Sequence, residues 1–268
     1  MSAALNTPAA SMTLAYEYDG TLEGLLCAIF ETYARHEIPV DIMPKGCAQL
    51  RLDQTIHEVV TDNAIACRVR GGIVRTCGAE VYDAVRDASL SDEADKGSIV
   101  CSFVRYSMAV QRNTLSELAH PQVEPFIRLR RAVLRERHYM MQFLRFEELE
   151  GGIWFARCNP QAYVVPLLMD WFCARFNTQP FIIYDEVHNV AGVYQGNDWF
   201  LVQSDVLELP QRTKHEVSMA QAWRAFYQSV SVEARFNPEL RRGFMPKRLW
   251  RNISEVSDQL PDEHPRRL

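Results

Sequence analysis

From residue 141 the chain alternates apolar and polar positions as Met141-Gln142-Phe143-Leu144-Arg145-Phe146, the period of a half-buried strand. Gly151-Gly152 follows, then Ile153-Trp154-Phe155-Ala156-Arg157, so the two runs predict an antiparallel pair joined by a glycine loop. Asn159-Pro160 ends the second strand, because proline has no amide to give a ladder. Residues 165–176 open on Val165-Pro166 and then hold only two charges, Asp170 and Arg175, which predicts a helix covered on nearly all sides. Strands are expected at 181–185, 190–194 and 199–202. A helix over 218–235 follows, with Met219, Trp223, Phe226 and Val230 as its buried face. Asn237-Pro238 starts a short helix that Gly243 ends, and Met245-Pro246 starts one more turn through Trp250.

The N-terminal half switches period more often. Residues 13–18 read as a strand and Asp19-Gly20-Thr21 as a turn that caps the next helix. That helix carries Leu22, Leu25, Leu26, Ile29, Phe30 and Tyr33 on one face. The 40–54 stretch is broken by Pro44 and Gly46 and reads as loop. A strand is expected at 56–60. Asp62 caps a helix toward Thr76, where Gly71-Gly72 would weaken the middle by about 1 kcal/mol each and favour a kink or break. Helices follow at 79–90, 92–111 and 121–139. The organisation expected is a loose tail at 1–11, an N-terminal α/β subdomain at 12–115, an α+β core domain at 116–256 and a second tail at 257–268. The fold class is α+β: a mostly antiparallel sheet packed around a buried helix, with additional amphipathic helices.

Composition adds limits. The 268 residues are 47% hydrophobic, enough for a full core, and no apolar run reaches the roughly 18 residues of a membrane span. The N-terminus lacks the basic start and apolar stretch of a signal peptide, and the seven cysteines are scattered and unpaired in spacing. Both point to a cytoplasmic protein with reduced thiols and no membrane association. The net charge of −5 removes the whole-molecule basic field of a typical DNA binder, so nucleic-acid contact would come from local patches.

Two such patches stand out. Arg235, Arg241, Arg242, Lys247, Arg248 and Arg251 face a single acid, Glu239, within one stretch, with Trp250 and Phe244 beside them as stacking groups. Arg128, Arg131 and Arg135 recur at helical spacing as a possible phosphate-facing stripe or a merely solvated face. For catalysis, Asp185, Glu186 and His188 share one polar turn and His138 ends a helix; proton transfer is one reading, turn-capping the other. Asp19 is read as part of a capped strand-to-helix junction, with either its carboxylate or the Thr21 hydroxyl as the cap, rather than as a catalytic acid. Nucleotide loops, nucleophile elbows, zinc-deaminase motifs and paired-cysteine ligand sets are all missing, so no metal site and no cofactor is expected.

Several blocks together resemble one bacterial family. They are 137–146 (RHYMMQFLRF), 152–156 (GIWFA), 165–168 (VPLL), 175–176, 183–185 (IYD), 192–194 (GVY), 235–238 (RFNP) and 245–250 (MPKRLW), with 18–21 (YDGT) near the start. The family is one of DNA metabolism proteins, a domain of unknown function found beside a radical S-adenosylmethionine (radical SAM) protein of DNA modification or repair. Some members are fused to a uracil-DNA glycosylase-like domain, which is not expected in a chain of this length. The resemblance implies a DNA-metabolism or repair accessory protein that binds DNA and works with the radical SAM partner. An enzyme acting directly on nucleic acid, or a protein–protein adaptor, are the alternatives.

Overall fold

The computed structural model describes residues 11–47, 54–204, 209–230 and 237–253, which pack as two compact units, Met1–Leu134 and Arg135–Leu268. The division falls inside one helix, whereas the sequence reading placed it at 115/116. Both expected tails lie outside the described residues, apart from Ser11.

In the first unit β1 (Ser11–Tyr18) is followed by α1 (Leu22–Ala34) and β2 (Pro39–Pro44). Then come β3 (Thr55–Glu58), α2 (Asn63–Cys77), α3 (Ala79–Ser89), α4 (Lys96–Val110) and the first part of α5 (Glu124–Phe143). The sheet order is β2-β1-β3 with both pairs parallel. Part of the stretch expected as loop is therefore strand: two prolines bound β2 without entering its ladder interior. Helix α2 runs unbroken through Gly71-Gly72, so the kink or break is not a break. Asp62 caps it through the Ala64 and Ile65 amides. The core gathers Tyr16, Leu25, Ile29, Val85, Phe103 and Phe126, the last two rings stacked at 3.6 Å.

The second unit holds the end of α5, then β4 (Glu147–Leu149), β5 (Ile153–Cys158), α6 (Val165–Arg175), β6 (Phe181–Asp185), β7 (Val190–Tyr194) and β8 (Trp199–Gln203). After these come α7 (Lys214–Val230), α8 (Pro238–Phe244) and a 3-10 helix at Lys247–Asn252. The five strands form one sheet in chain order. The β4–β5, β6–β7 and β7–β8 pairs are antiparallel, but β5 and β6 are parallel, so the sheet is mixed. The reason is α6, a helix in the β5–β6 connection that returns the chain in the same direction.

The 141–146 run is not a strand. Met141, Gln142 and Phe143 close α5, and the strand paired with β5 begins only at Glu147. Alternation over six residues competes with the helical spacing Val133–Glu136–Met140 that arrives from upstream, and the longer period wins. The turn to β5 uses Gly151 and Gly152 at φ 92° and 74°, which glycine adopts without strain.

Helix α6 buries Val165, Leu168, Met169 and Phe172, while Asp170 and Ala174 face solvent, so it is covered on one side rather than all round. Its buried side meets β7 at Gly192, where a side chain would run into Met169 and Val165. Phe146, Phe172, Phe176 and Phe181 surround the helix end with ring centres 5.0–6.4 Å apart. The face expected to bury α7 is exposed instead: Met219 is 52% accessible, Trp223 45%, Phe226 54% and Val230 53%. Periodicity tells which residues share a helix face, not what covers it. Among the described residues no helix is long and apolar enough to cross a membrane.

Candidate functional site

The basic C-terminal segment is built on two short helical turns of the second unit. Asn237 caps α8 by accepting the Leu240 amide at 2.9 Å, with Pro238 at its first position. Pro246 then starts the 3-10 turn that carries Lys247, Arg248, Trp250 and Arg251.

Burial sorts these residues into two groups. Leu249, Trp250 and Ile253 are buried. The Trp250 indole N–H donates to the Met245 carbonyl at 3.0 Å, and the Arg241 guanidinium lies 4.6 Å from its ring centre. Base stacking on Trp250 would require this packing to open; the exposed aromatic of the segment is Phe244. Arg248 donates twice to Glu136, at 2.7 Å to Oε1 and 2.5 Å to Oε2, a forked guanidinium–carboxylate pair. Glu136 is only 4% exposed and also accepts the Gln161 amide at 3.1 Å. Arg248 thus ties the segment to α5 and is engaged inside the unit. Arg242, Lys247 and Arg251 remain at the surface. Arg235 lies outside the described residues.

The Asp185 turn adjoins this segment. Asp185 is fully buried at the end of β6, and its Oδ1 accepts the Val187 and His188 amides at 2.9 and 3.2 Å. Its Oδ2 lies 2.5 Å from His188 Nδ1, so the carboxylate orients the imidazole with Nδ1 as donor. The turn closes through Asn189 at φ 54°, a left-handed conformation asparagine tolerates. Glu186 reaches Arg157 at 3.5 Å and Arg251 at 3.9 Å. The structure therefore brings Glu186 near one C-terminal arginine, Arg251, although the two were separate features of the sequence. His138 is elsewhere on α5, exposed, with its ring 2.7 Å from the Gln142 amide nitrogen one turn on.

Cys158 lies opposite Asp185 in the β5–β6 ladder and is buried. Burial first, and the neighbouring Asp185, Glu186 and Glu136 carboxylates second, push its thiol well above the usual range, which makes it a poor nucleophile. Beside it a small cleft opens between Arg157, Asn159 and Asn252 on the polar side and Met140, Phe143 and Leu249 on the apolar side. Asn252 donates to Asn159 at 3.4 Å across it. Among the described residues no group of three or more His, Cys, Asp or Glu side chains could hold a metal ion.

The helical stripe is split by the division between units. Arg128 and Arg131 are exposed on the first, with Arg128 3.9 Å from Glu124, and Arg135 is exposed on the second. Arg130, between them, is bound to the buried Asp87 at 3.1 Å. In the first unit Asp19 accepts from the Thr21 amide and hydroxyl and from the Thr61 hydroxyl. Burial works to raise its pKa, but these hydrogen bonds outweigh it and hold the carboxyl below the ordinary range.

Sequence reasoning missed Glu136. Its signal was present: Val133, Glu136 and Met140 share the apolar face of α5, and a carboxylate there needs a cation.

Comparison with curated proteins finds no match. Residues 94–255, more than half of the chain, match the family described as Domain of unknown function (DUF4130), and the chain belongs to that family.

Proposed function

We propose that this chain is a nucleic-acid-binding accessory protein of DNA metabolism. Its phosphate-facing surface is segment 237–253, and its partner is a radical SAM enzyme of DNA modification or repair. The observation that carries the binding reading is the anchored basic segment. Arg248, Leu249 and Trp250 fasten it to the second unit, while Arg242, Lys247, Arg251 and Phe244 stay accessible. Cations held on a fixed backbone lose less freedom on meeting phosphate than cations on a free tail. Five basic residues against one acid in this segment give a local positive field within a chain of net charge −5. The partner enzyme comes from the resemblance, and the missing nucleotide and cluster motifs agree with chemistry supplied from outside the chain.

The test is a salt titration of duplex DNA binding by the full chain. With three phosphates neutralised, the log–log slope should be about −2.7. Joint substitution of Arg242, Lys247 and Arg251 by Glu should flatten it and weaken all sequences alike. Salt-independent affinity, or an unchanged slope in that variant, would overturn the assignment. Co-purification with the radical enzyme, and activity assays of each protein alone and together, test the accessory role. The oriented Asp185–His188 pair favours one second reading, direct action on nucleic acid. Turnover by the isolated protein, lost in Asp185→Asn, would promote it.

A further inference from the structure

The clearest unexplained surface is the apolar face of α7, and it is separate from the basic segment. Met219, Trp223, Phe226 and Val230 follow one another at steps of four, three and four residues. That is the alternating a/d spacing of a two-helix seam. All four are about half exposed. The helix itself is well fixed at its start. The Thr213 amide donates to the Glu148 carbonyl at 3.1 Å, Glu216 accepts the Glu148 amide at 3.2 Å, and Arg212 pairs with Glu147 at 2.7 Å. An element tied to the sheet edge through β4 thus presents a regular apolar seam.

We propose that this seam pairs with the α7 of a second copy of the chain, antiparallel, across a two-fold axis near residues 224 and 225. Two observations select a second copy over another protein. First, the spacing is its own complement: reversed about that axis, Met219 falls opposite Val230 and Trp223 opposite Phe226, so each a position meets a d position. Second, the flanking positions 220, 222, 227 and 229 hold Ala, Ala, Tyr and Ser. Self-pairing therefore sets no like charges against each other, and there is no charge code at these positions to select a different helix. The scale is modest. A large side chain that is already half buried hides at most about 100 Å² more, so the seam supplies on the order of 400 Å² per copy. A standard interface has about 800 Å² per partner, which makes this a weak, reversible dimer.

Sedimentation equilibrium of the full chain over a wide concentration series tests it. A concentration-dependent monomer–dimer equilibrium is expected. Trp223→Glu and Met219→Glu should each weaken it roughly tenfold or more, as for removal of an interface anchor. Because both sites are exposed in the single chain, the circular dichroism spectrum should stay unchanged. Gln221→Glu, on the opposite side of the helix, should leave the dimer intact. A chain that is monomeric at every concentration, or a dimer indifferent to both seam substitutions, overturns the proposal. So does a monomeric wild type whose co-purification with the radical enzyme is lost in Trp223→Glu, since the seam would then belong to that partner.

Discussion

Replacing Arg248 by Ala should destabilise the second unit far more than replacing any surface arginine of the same cluster. The substitution removes both hydrogen bonds to Glu136 and leaves a 4% exposed carboxylate with only the Gln161 amide. Breaking a buried pair from one side typically costs about 3–5 kcal/mol, because the remaining charge is neither solvated nor matched. The reverse substitution is not equivalent. In Glu136→Ala the orphan is Arg248, whose side chain is 25% exposed and whose long stem can carry the charge to water. That loss should be smaller, roughly 1–3 kcal/mol. Arg248→Lys keeps a charge without the fork and should fall between wild type and Ala. The assay has a convenient reporter: all five tryptophans lie at or after position 154, so their fluorescence in a denaturant titration follows the second unit alone. Limited proteolysis shows whether segment 237–253 detaches first, in which case the loss is capped at its docking free energy. Arg242→Ala is the control and should change little. If Arg248→Ala lies within about 1 kcal/mol of wild type and its protease sensitivity is unchanged, the pair does not anchor the segment and the reasoning fails.

Two further outcomes are expected. Leu168→Ala, in the fully buried side of α6, should lower stability by about 2–5 kcal/mol in the same fluorescence titration, and a smaller change would mean the α6–sheet contact is loose. The Asp19 carboxyl, depressed in the folded state, contributes stability that is present above the ordinary aspartate value of about 3.9 and is lost as pH falls through the lower folded value. Protection of the α1 amides, measured against the intrinsic exchange rate at each pH, should therefore fall in acid, and Asp19→Asn, with nothing to protonate, should show a flatter pH dependence of protection; an equal acid response in both would assign the effect to other groups.

Most element types were legible because their periods were long or their boundaries chemical. Thr21 and Asp62 cap α1 and α2, Asn237 and Pro238 open α8, and Pro166 opens α6. The errors share a physical cause. The 141–146 run is six residues long, too short for an alternating pattern to outweigh the helix already in progress. Segment 39–44 has prolines at both ends, which mask a strand whose partners come from β1 in the chain before it. The parallel β5–β6 pair depends on how the chain returns after α6, which residue patterns along a strand do not record. The buried face assigned to α7 failed differently: the pattern was right and the covering surface is not provided by the described residues.

The same distinction governs the basic cluster. As a string, residues 241–251 offer five interchangeable cations, and a binding surface would be credited with all of them. Folded, they separate by partner. Arg248 is held by a buried carboxylate 112 positions away, and Arg241 lies against the Trp250 ring. Arg251 stands near Glu186 at a distance where exposed pairs contribute little. Only what is still accessible can neutralise phosphate, so the electrostatic reach of the segment is smaller than its composition suggests and its rigidity greater. A reversal at Arg248 would therefore mix two effects, lost anchoring and lost charge, and would weaken DNA binding even if that residue never met a phosphate. Reversals at Arg242 and Lys247 should leave the fold intact. If they flatten the salt slope while Arg248→Lys leaves the slope unchanged, recognition and anchoring are carried by different arginines of one short segment. If Arg248→Lys alone flattens the slope with tryptophan fluorescence unaltered, Arg248 contacts the nucleic acid and the division between the two groups is wrong.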